Sequence, residues 1–370
     1  MALKNTLEPA AVAGRLAAWL PGALGVDGPV EVTGVLLPTA SGMSSETLLF
    51  DAAWNTNGER VQRGLVARVP PSVGLFPDYD IAREAQVMTA LAEHSDAPVP
   101  AVLAHERTGE VLGAEFLLLE RAYGEVPGDD PPFVSGGWVV DLEPEARATM
   151  YDSALRALAA IQRLDPAAAG LSALRHGNPD GGVLEQQLIY WREFYAWAAG
   201  GRANPLIDAA LDRLESTKPA DHGPLVVSWG DARFGNLMFG EDHEVTAVLD
   251  WEMATLGPPE VDFGYWLFFD RLYSSGIGAP RLTGFPERDV AIARFAELTG
   301  RPARDLDWFE AWAALRGAIL LLRVGNLMIE HGQLPADAAL PYNNPAAHVL
   351  GALLDLPVPD GAAEWISGNR

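Results

Sequence analysis

Apolar positions recur along the chain in two rhythms, and the change from one to the other divides it. Near the start, Leu7, Val12, Leu16, Trp19 and Leu20 return at helical spacing with Arg15 among them, which predicts an amphipathic opening helix rather than a signal peptide. From Val30 to Glu120 short apolar and β-branched runs predict strands. They cover Val30 to Leu37, Thr47 to Trp54, Leu65 to Val69, Ala101 to His105 and Glu115 to Glu120, separated by Gly, Pro and Asn-Gly turn signals. One helix interrupts them, from Asp80 as N-cap to about Glu93. Its apolar stripe of Ile81, Met88 and Leu91 carries Glu84 at three, four and seven residues' distance. A carboxylate facing a packed surface is costly unless paired. Arg68, at the end of the Leu65 to Val69 strand, is the nearest candidate partner; snorkelling at the rim is the alternative.

Gly, Pro and Asp accumulate between Tyr123 and Pro144, which predicts a hinge and a long loop. Beyond it the helical period dominates. Helices are expected over Pro144 to Leu164, Val183 to Ala199, Pro205 to Glu215, Pro258 to Tyr273, Asp289 to Thr299, Asp305 to Glu330 and Pro335 to Leu354. Ala311 to Ile329 is apolar nearly all round and reads as the central helix of this half. The expected organisation is a β-rich lobe over residues 1–122 and a larger helical lobe over residues 123–370. Two apolar runs inside the second lobe, Leu225 to Val227 and Val245 to Leu249, read as the strands of an embedded hairpin.

Composition narrows the chemistry. The chain of 370 residues has no cysteine, which removes disulfides, thiolate nucleophiles and zinc–thiolate sites. A net charge of −24 repels nucleic acid phosphates and anionic lipid, so neither is expected as a partner. No uninterrupted apolar run reaches the length of a membrane span, and the expected location is cytoplasmic. Only two lysines are present, Lys4 and Lys218, so a function that needs a lysine elsewhere must use a substitute.

The polar groups at the ends of the two apolar runs carry the candidate chemistry. Asp231 follows the first run, Asn236 comes five residues later, and Asp250 closes the second. A carboxylate for an acceptor hydroxyl and two further oxygen donors for magnesium are the set that phosphoryl transfer from a nucleotide requires. Ordinary turn chemistry would also place Asp and Asn in such loops.

The frame Trp229-Gly230-Asp231-Ala232-Arg233-Phe234-Gly235-Asn236, then Asp250-Trp251-Glu252, then Gly257-Pro258-Pro259 and Asp262, resembles the aminoglycoside/choline phosphotransferase-like family. It is most similar to the Asp-Trp-Glu subgroup, whose relatives include kinase-like domains joined to acyl-CoA dehydrogenases. The resemblance covers roughly Val30 to Leu354. It implies an α+β, two-lobed protein-kinase-like fold and an ATP- and Mg2+-dependent transferase that phosphorylates a hydroxyl of a small molecule. Asp231 is then the catalytic carboxylate, and Asn236 and Asp250 the metal ligands. Asp262 would brace the loop or cap a helix. Arg233 would pair with an acidic neighbour, approach the substrate or lie solvated at the surface.

The resemblance also implies a nucleotide site with two departures from pattern. Arg68 stands where a phosphate-contacting lysine is usual, with Glu84 holding it in place. Trp229 stands where a histidine is usual, and is expected to keep that residue's bulk while losing its hydrogen bond. Ser44 and Ser45 would donate to phosphates from the turn between the first two strands, or form an ordinary hairpin turn. Glu120 and Ala122 would supply backbone that reads adenine. Tyr190, Trp191, Phe194, Tyr195 and Trp197, with Trp138, are either core or an aromatic acceptor pocket. The acidic surplus would suit a cationic acceptor instead. Two competing readings stay open: a nucleotide-binding pseudokinase or scaffold, and a magnesium-dependent phosphohydrolase with Asp231 as nucleophile.

Overall fold

Strand pairing and helix packing sort this chain into two units, Met1–Glu93 with Val99–Tyr123, and His94–Pro98 with Gly124–Arg370. The computed structural model describes residues 8–37, 46–71, 74–178, 180–220 and 223–365.

The first unit comprises α1 (Pro9–Leu24), β1 (Glu31–Leu36), β2 (Glu46–Thr56), β3 (Glu59–Val69), α2 (Ile81–His94), β4 (Val102–Glu106) and β5 (Phe116–Glu120). The five strands form an antiparallel sheet in the order β1-β2-β3-β5-β4. The opening helix forms as its period demands, burying Val12, Leu16 and Leu20 in one cluster with Leu48, Phe50 and Phe116. Burial of each such side chain stabilises by about 2 kcal/mol. Strands β2 and β3 meet through Asn57 and Gly58, both at positive φ, the two-residue connection whose twist matches that of the strands. The third strand starts at Glu59, well before the apolar run at Leu65. Its first half, with Arg60, Gln62 and Arg63, is mostly exposed and so leaves no apolar trace.

The second unit holds α3 (Trp138–Asp141), α4 (Pro144–Gln162), α5 (Val183–Ala198), α6 (Pro205–Ser216), β6 (Val226–Ser228), β7 (Leu237–Phe239), β8 (Val245–Val248), β9 (Thr255–Gly257), α7 (Glu260–Leu272), α8 (Arg288–Thr299), α9 (Leu306–Glu330) and α10 (Pro345–Leu354). Helix α9 is long and apolar enough to cross a membrane, but it is the central core helix here, with Trp312, Leu315, Ile319 and Leu322 fully buried.

Two expectations are corrected. The Leu225 to Glu252 segment is no hairpin: β6 pairs with β9 and β7 pairs with β8, in separate two-stranded sheets. Strands of three residues, such as β7 and β9, are too short to show a period. The last helix begins at Pro345 rather than Pro335, because Asn344 accepts from the Ala347 amide at 2.9 Å and proline follows at the first helical position.

Candidate active site

The site is built on the turn between β6 and β7. Gly230 takes φ 93°, and a Cβ there would collide with the Met253 carbonyl, so only glycine lets the backbone pass. Asp262, in the first turn of α7, gathers this turn from below: its carboxylate accepts from Ser228 Oγ (2.7 Å), Trp229 N (2.8 Å) and Gly230 N (2.8 Å). Burial pushes the Asp262 carboxyl up from its ordinary value, against the pull of these three donors and of nearby Arg316. Asp262 therefore braces the loop, as expected of it.

Asp231 follows directly. Its Oδ2 accepts from Arg233 Nε at 3.1 Å and from Asn236 Nδ2 at 2.5 Å, and Asn236 Nδ2 also reaches the Asp231 carbonyl at 3.1 Å. With its nitrogen committed to Asp231, Asn236 presents its amide oxygen elsewhere. The Asn236 carbonyl accepts from the Leu249 amide at 2.9 Å, which brings the end of β8 alongside. Asp250 comes next in the left-handed conformation, φ 61°, a backbone that Asp tolerates better than most residues. Within the second unit the structure thus gathers Asp231, Asn236 and Asp250. The last two offer the hard oxygen donors that suit Mg2+, so the donor set fits that ion. Among the described residues no group of three or more His, Cys, Asp or Glu forms a metal cluster.

Trp229 differs from expectation. Its bulk is fully buried beside Trp251, but hydrogen bonding is not lost, because the indole Nε1 donates to the carbonyls of Leu249 (2.8 Å) and Asp250 (3.0 Å). The tryptophan ties the Asp231 turn to the Asp250 turn.

Four groups around Asp231 escaped the sequence reading: Arg316, Tyr265, Asp129 and Tyr273. Arg316 of α9 is buried, donates to the Gly230 carbonyl, and lies over the rings of Tyr265 (4.5 Å) and Trp191 (5.1 Å). Burial lowers the hold of Arg316 on its proton, and Tyr265, Asp262 and Asp231 work against that. Burial and then the Asp231 charge push the Tyr265 hydroxyl well up, which keeps it protonated. Asp129 receives Arg233 Nη1 and the Tyr273 hydroxyl, the latter at 2.6 Å. Arg233 is thus the paired arginine among its three expected alternatives. Burial opposes its charge, but Asp231 and Asp129 outweigh that and strengthen its protonation.

The aromatic residues expected at an acceptor pocket divide. Trp191, Phe194 and Tyr195 are buried in the core, while Trp197 is exposed. A different aromatic cavity, lined by Phe133, Tyr151, Phe234, Phe269, Tyr273 and others, reaches Arg233. Its interior of about 20 Å³ has room for roughly one water.

In the first unit, Arg68 Nε donates to Glu84 Oε2 at 2.7 Å, and Glu84 is 3% exposed, so the expected ion pair is present and the rim alternative is not. Glu120 ends β5 with its amide donated to the Ala101 carbonyl; the Arg121 amide goes to Gly64, and Ala122 follows. Ser44 and Ser45 lie outside the described residues.

The strand-rich first unit and helical second unit are those of a kinase-like phosphotransferase fold, as the comparisons with known proteins show. The description "Phosphotransferase enzyme family" (APH) matches residues 48–305, well over half of the chain, which belongs to this family. Acyl-CoA dehydrogenase family member 10 of Mus musculus is 33% identical over 276 residues, 74% of this chain and 23% of that protein. The chain spans 23% to 37% of the length of the first acyl-CoA dehydrogenase relatives it matches. A crystal structure of a Ralstonia eutropha JMP134 protein assigned as an aminoglycoside phosphotransferase superposes with TM-score 0.69 at 26% identity, covering 92% of this chain and 95% of that one. A thermostable mutant of aminoglycoside phosphotransferase APH(4)-Ia, in ternary complex with AMP-PNP and hygromycin B, shares the fold with TM-score 0.50 at 18% identity, covering 92% and 98%.

Proposed function

We propose that this phosphotransferase-family chain is an ATP- and Mg2+-dependent small-molecule kinase, transferring the γ-phosphoryl group to a hydroxyl. The observation that carries the reading is the Asp231–Asn236 contact beside the Asp250 turn. Asp231 accepts the hydrogen bond of the acceptor hydroxyl, aligns its oxygen and takes its proton late in transfer. Asn236 and Asp250 are the groups that would hold Mg2+, which when bound neutralises charge on the phosphates. Arg68, held by Glu84, is the proposed phosphate-contacting cation, an arginine where a lysine is usual. Glu120 and Ala122 are the backbone proposed to read the base. The APH(4)-Ia complex, which holds AMP-PNP, supports a nucleotide as donor.

One observation favours a nucleotide-binding pseudokinase: the Asp231 carboxylate is already paired with a cation, Arg233 Nε standing 3.1 Å from its Oδ2. Calorimetric titration with ATP and Mg2+, followed by an acceptor screen, separates the readings. The kinase reading expects binding, and turnover that falls at least about a hundredfold in Asp231→Asn with nucleotide affinity retained. Binding with slow hydrolysis equal in wild type and Asp231→Asn selects the pseudokinase, and no binding at millimolar ATP overturns both.

A further inference from the structure

The acidic surplus of the chain points toward a cationic acceptor, but the surroundings of Asp231 are already neutralised from within. Arg233 forks between two carboxylates, with Nε at 3.1 Å from Asp231 Oδ2 and Nη1 on Asp129 Oδ2. The fork is held by its neighbours. Tyr273 donates to the other oxygen of Asp129 at 2.6 Å, and the guanidinium lies 5.6 Å from the Phe269 ring centroid. Gly235 makes room for it: a Cβ there would meet Asp129 Oδ1 at 2.7 Å and the Arg233 guanidinium closer still. The loop that carries Asp129 is fastened to β7 by paired Glu125 and Phe239 backbone bonds, both 2.9 Å. Further along α7, Asp270 is taken in a similar way by Arg281 at 2.5 Å.

We infer that Arg233 is a built-in cation occupying the place between Asp231 and Asp129 where an ammonium group of a cationic acceptor would bind. It thereby selects acceptors whose reacting hydroxyl is flanked by uncharged groups. The selection rests on the kinase reading, since only a kinase has an acceptor, while the charge arrangement stands without it. With Arg233 in the fork, an ammonium group is not needed to balance either carboxylate. One brought between them also comes within reach of the guanidinium, and like charges repel. An uncharged alcohol meets no such opposition.

The test is calorimetric titration of the full chain at low salt with kanamycin, a polycation, in wild type, Arg233→Ala and Arg233→Gln. Arg233→Gln keeps hydrogen-bonding atoms without the charge and guards against a folding defect in the alanine variant. Both variants are expected to bind kanamycin at least tenfold more tightly than wild type, and adding Asp129→Asn is expected to abolish the gain. Wild type binding as tightly as the variants overturns the inference, as does a gain that survives Asp129→Asn. ATP binding measured in parallel reports on the kinase reading by itself: its absence from all proteins removes that reading and leaves the kanamycin comparison intact.

Discussion

In the first unit an arginine and a carboxylate close on each other. Arg68 and Glu84 lie 2.7 Å apart with side chains 14% and 4% exposed, so the pair is largely removed from water. In the second unit one arginine is shared: Arg233 bridges Asp231 and Asp129, and the Asp129 side chain remains 44% exposed. The first arrangement is fixed by burial, since separating it strands charge in a poor solvent. The second is open at one end only: Arg233 and Asp231 are 17% and 14% exposed, while the Asp129 arm meets water and contributes little by itself. Both arrangements hold an arginine in one position, the first by burial of the whole pair and the second by sharing the cation between two carboxylates, one of them exposed.

The largest effect expected from that contrast is on stability. Glu84→Ala breaks a pair whose carboxylate is buried and whose arginine is 14% exposed, and should cost about 3 kcal/mol in urea unfolding. Asp129→Asn, measured the same way, should cost no more than about 1 kcal/mol. Equal losses would remove the distinction between closed and open arrangements.

Trp229→Phe sharpens it from inside the second unit. The substitution keeps an aromatic ring but deletes the Nε1 donor to Leu249 and Asp250. A loss of about 1 kcal/mol follows from removing one N–H donor shared between two carbonyls. Because those bonds tie the Asp250 turn to the Asp231 turn, the Mg2+ concentration for half-maximal nucleotide binding should also rise. An unchanged magnesium dependence would mean that packing alone places Asp250.

The closed pair was legible in the sequence and the open fork was not. Glu84 betrays itself by breaking an apolar helical stripe, and Arg68 stands at the end of a strand marked by its own apolar run. Arg316 offers the same signal, a charge inside the nearly all-apolar α9. Asp129 offers none, because it lies in a loop rich in Gly, Pro and Asp and meets Arg233 across 104 residues of chain. The fold class was readable because long helices and β2, β3 and β5 carry periods or apolar runs over many residues. The pairing of β6 with β9 depends on contacts that three-residue strands do not announce.

The smallest expected effect concerns pH and carries the comparison to the surface. Asp152 of α4 pairs with Arg294 at 2.7 Å and Arg156 at 2.9 Å, all three side chains being more than a third exposed. Burial raises the Asp152 carboxyl, but Arg294 and Arg156 outweigh it and hold it below its ordinary value. A depressed carboxyl contributes stability above its unfolded pKa, about 3.9, and that contribution is lost as pH falls through the lower folded value. Buried Asp262 has the opposite sign: its raised carboxyl favours the folded state below the unfolded pKa, and that contribution is lost as pH rises through the folded value. Asp152→Asn should therefore cost less than about 1 kcal/mol at neutral pH, given solvent screening. Its urea-unfolding curve should converge with that of wild type in acid. A gap that persists there would assign the loss to packing, and the surface network would then differ from the Arg68–Glu84 pair in degree rather than in kind.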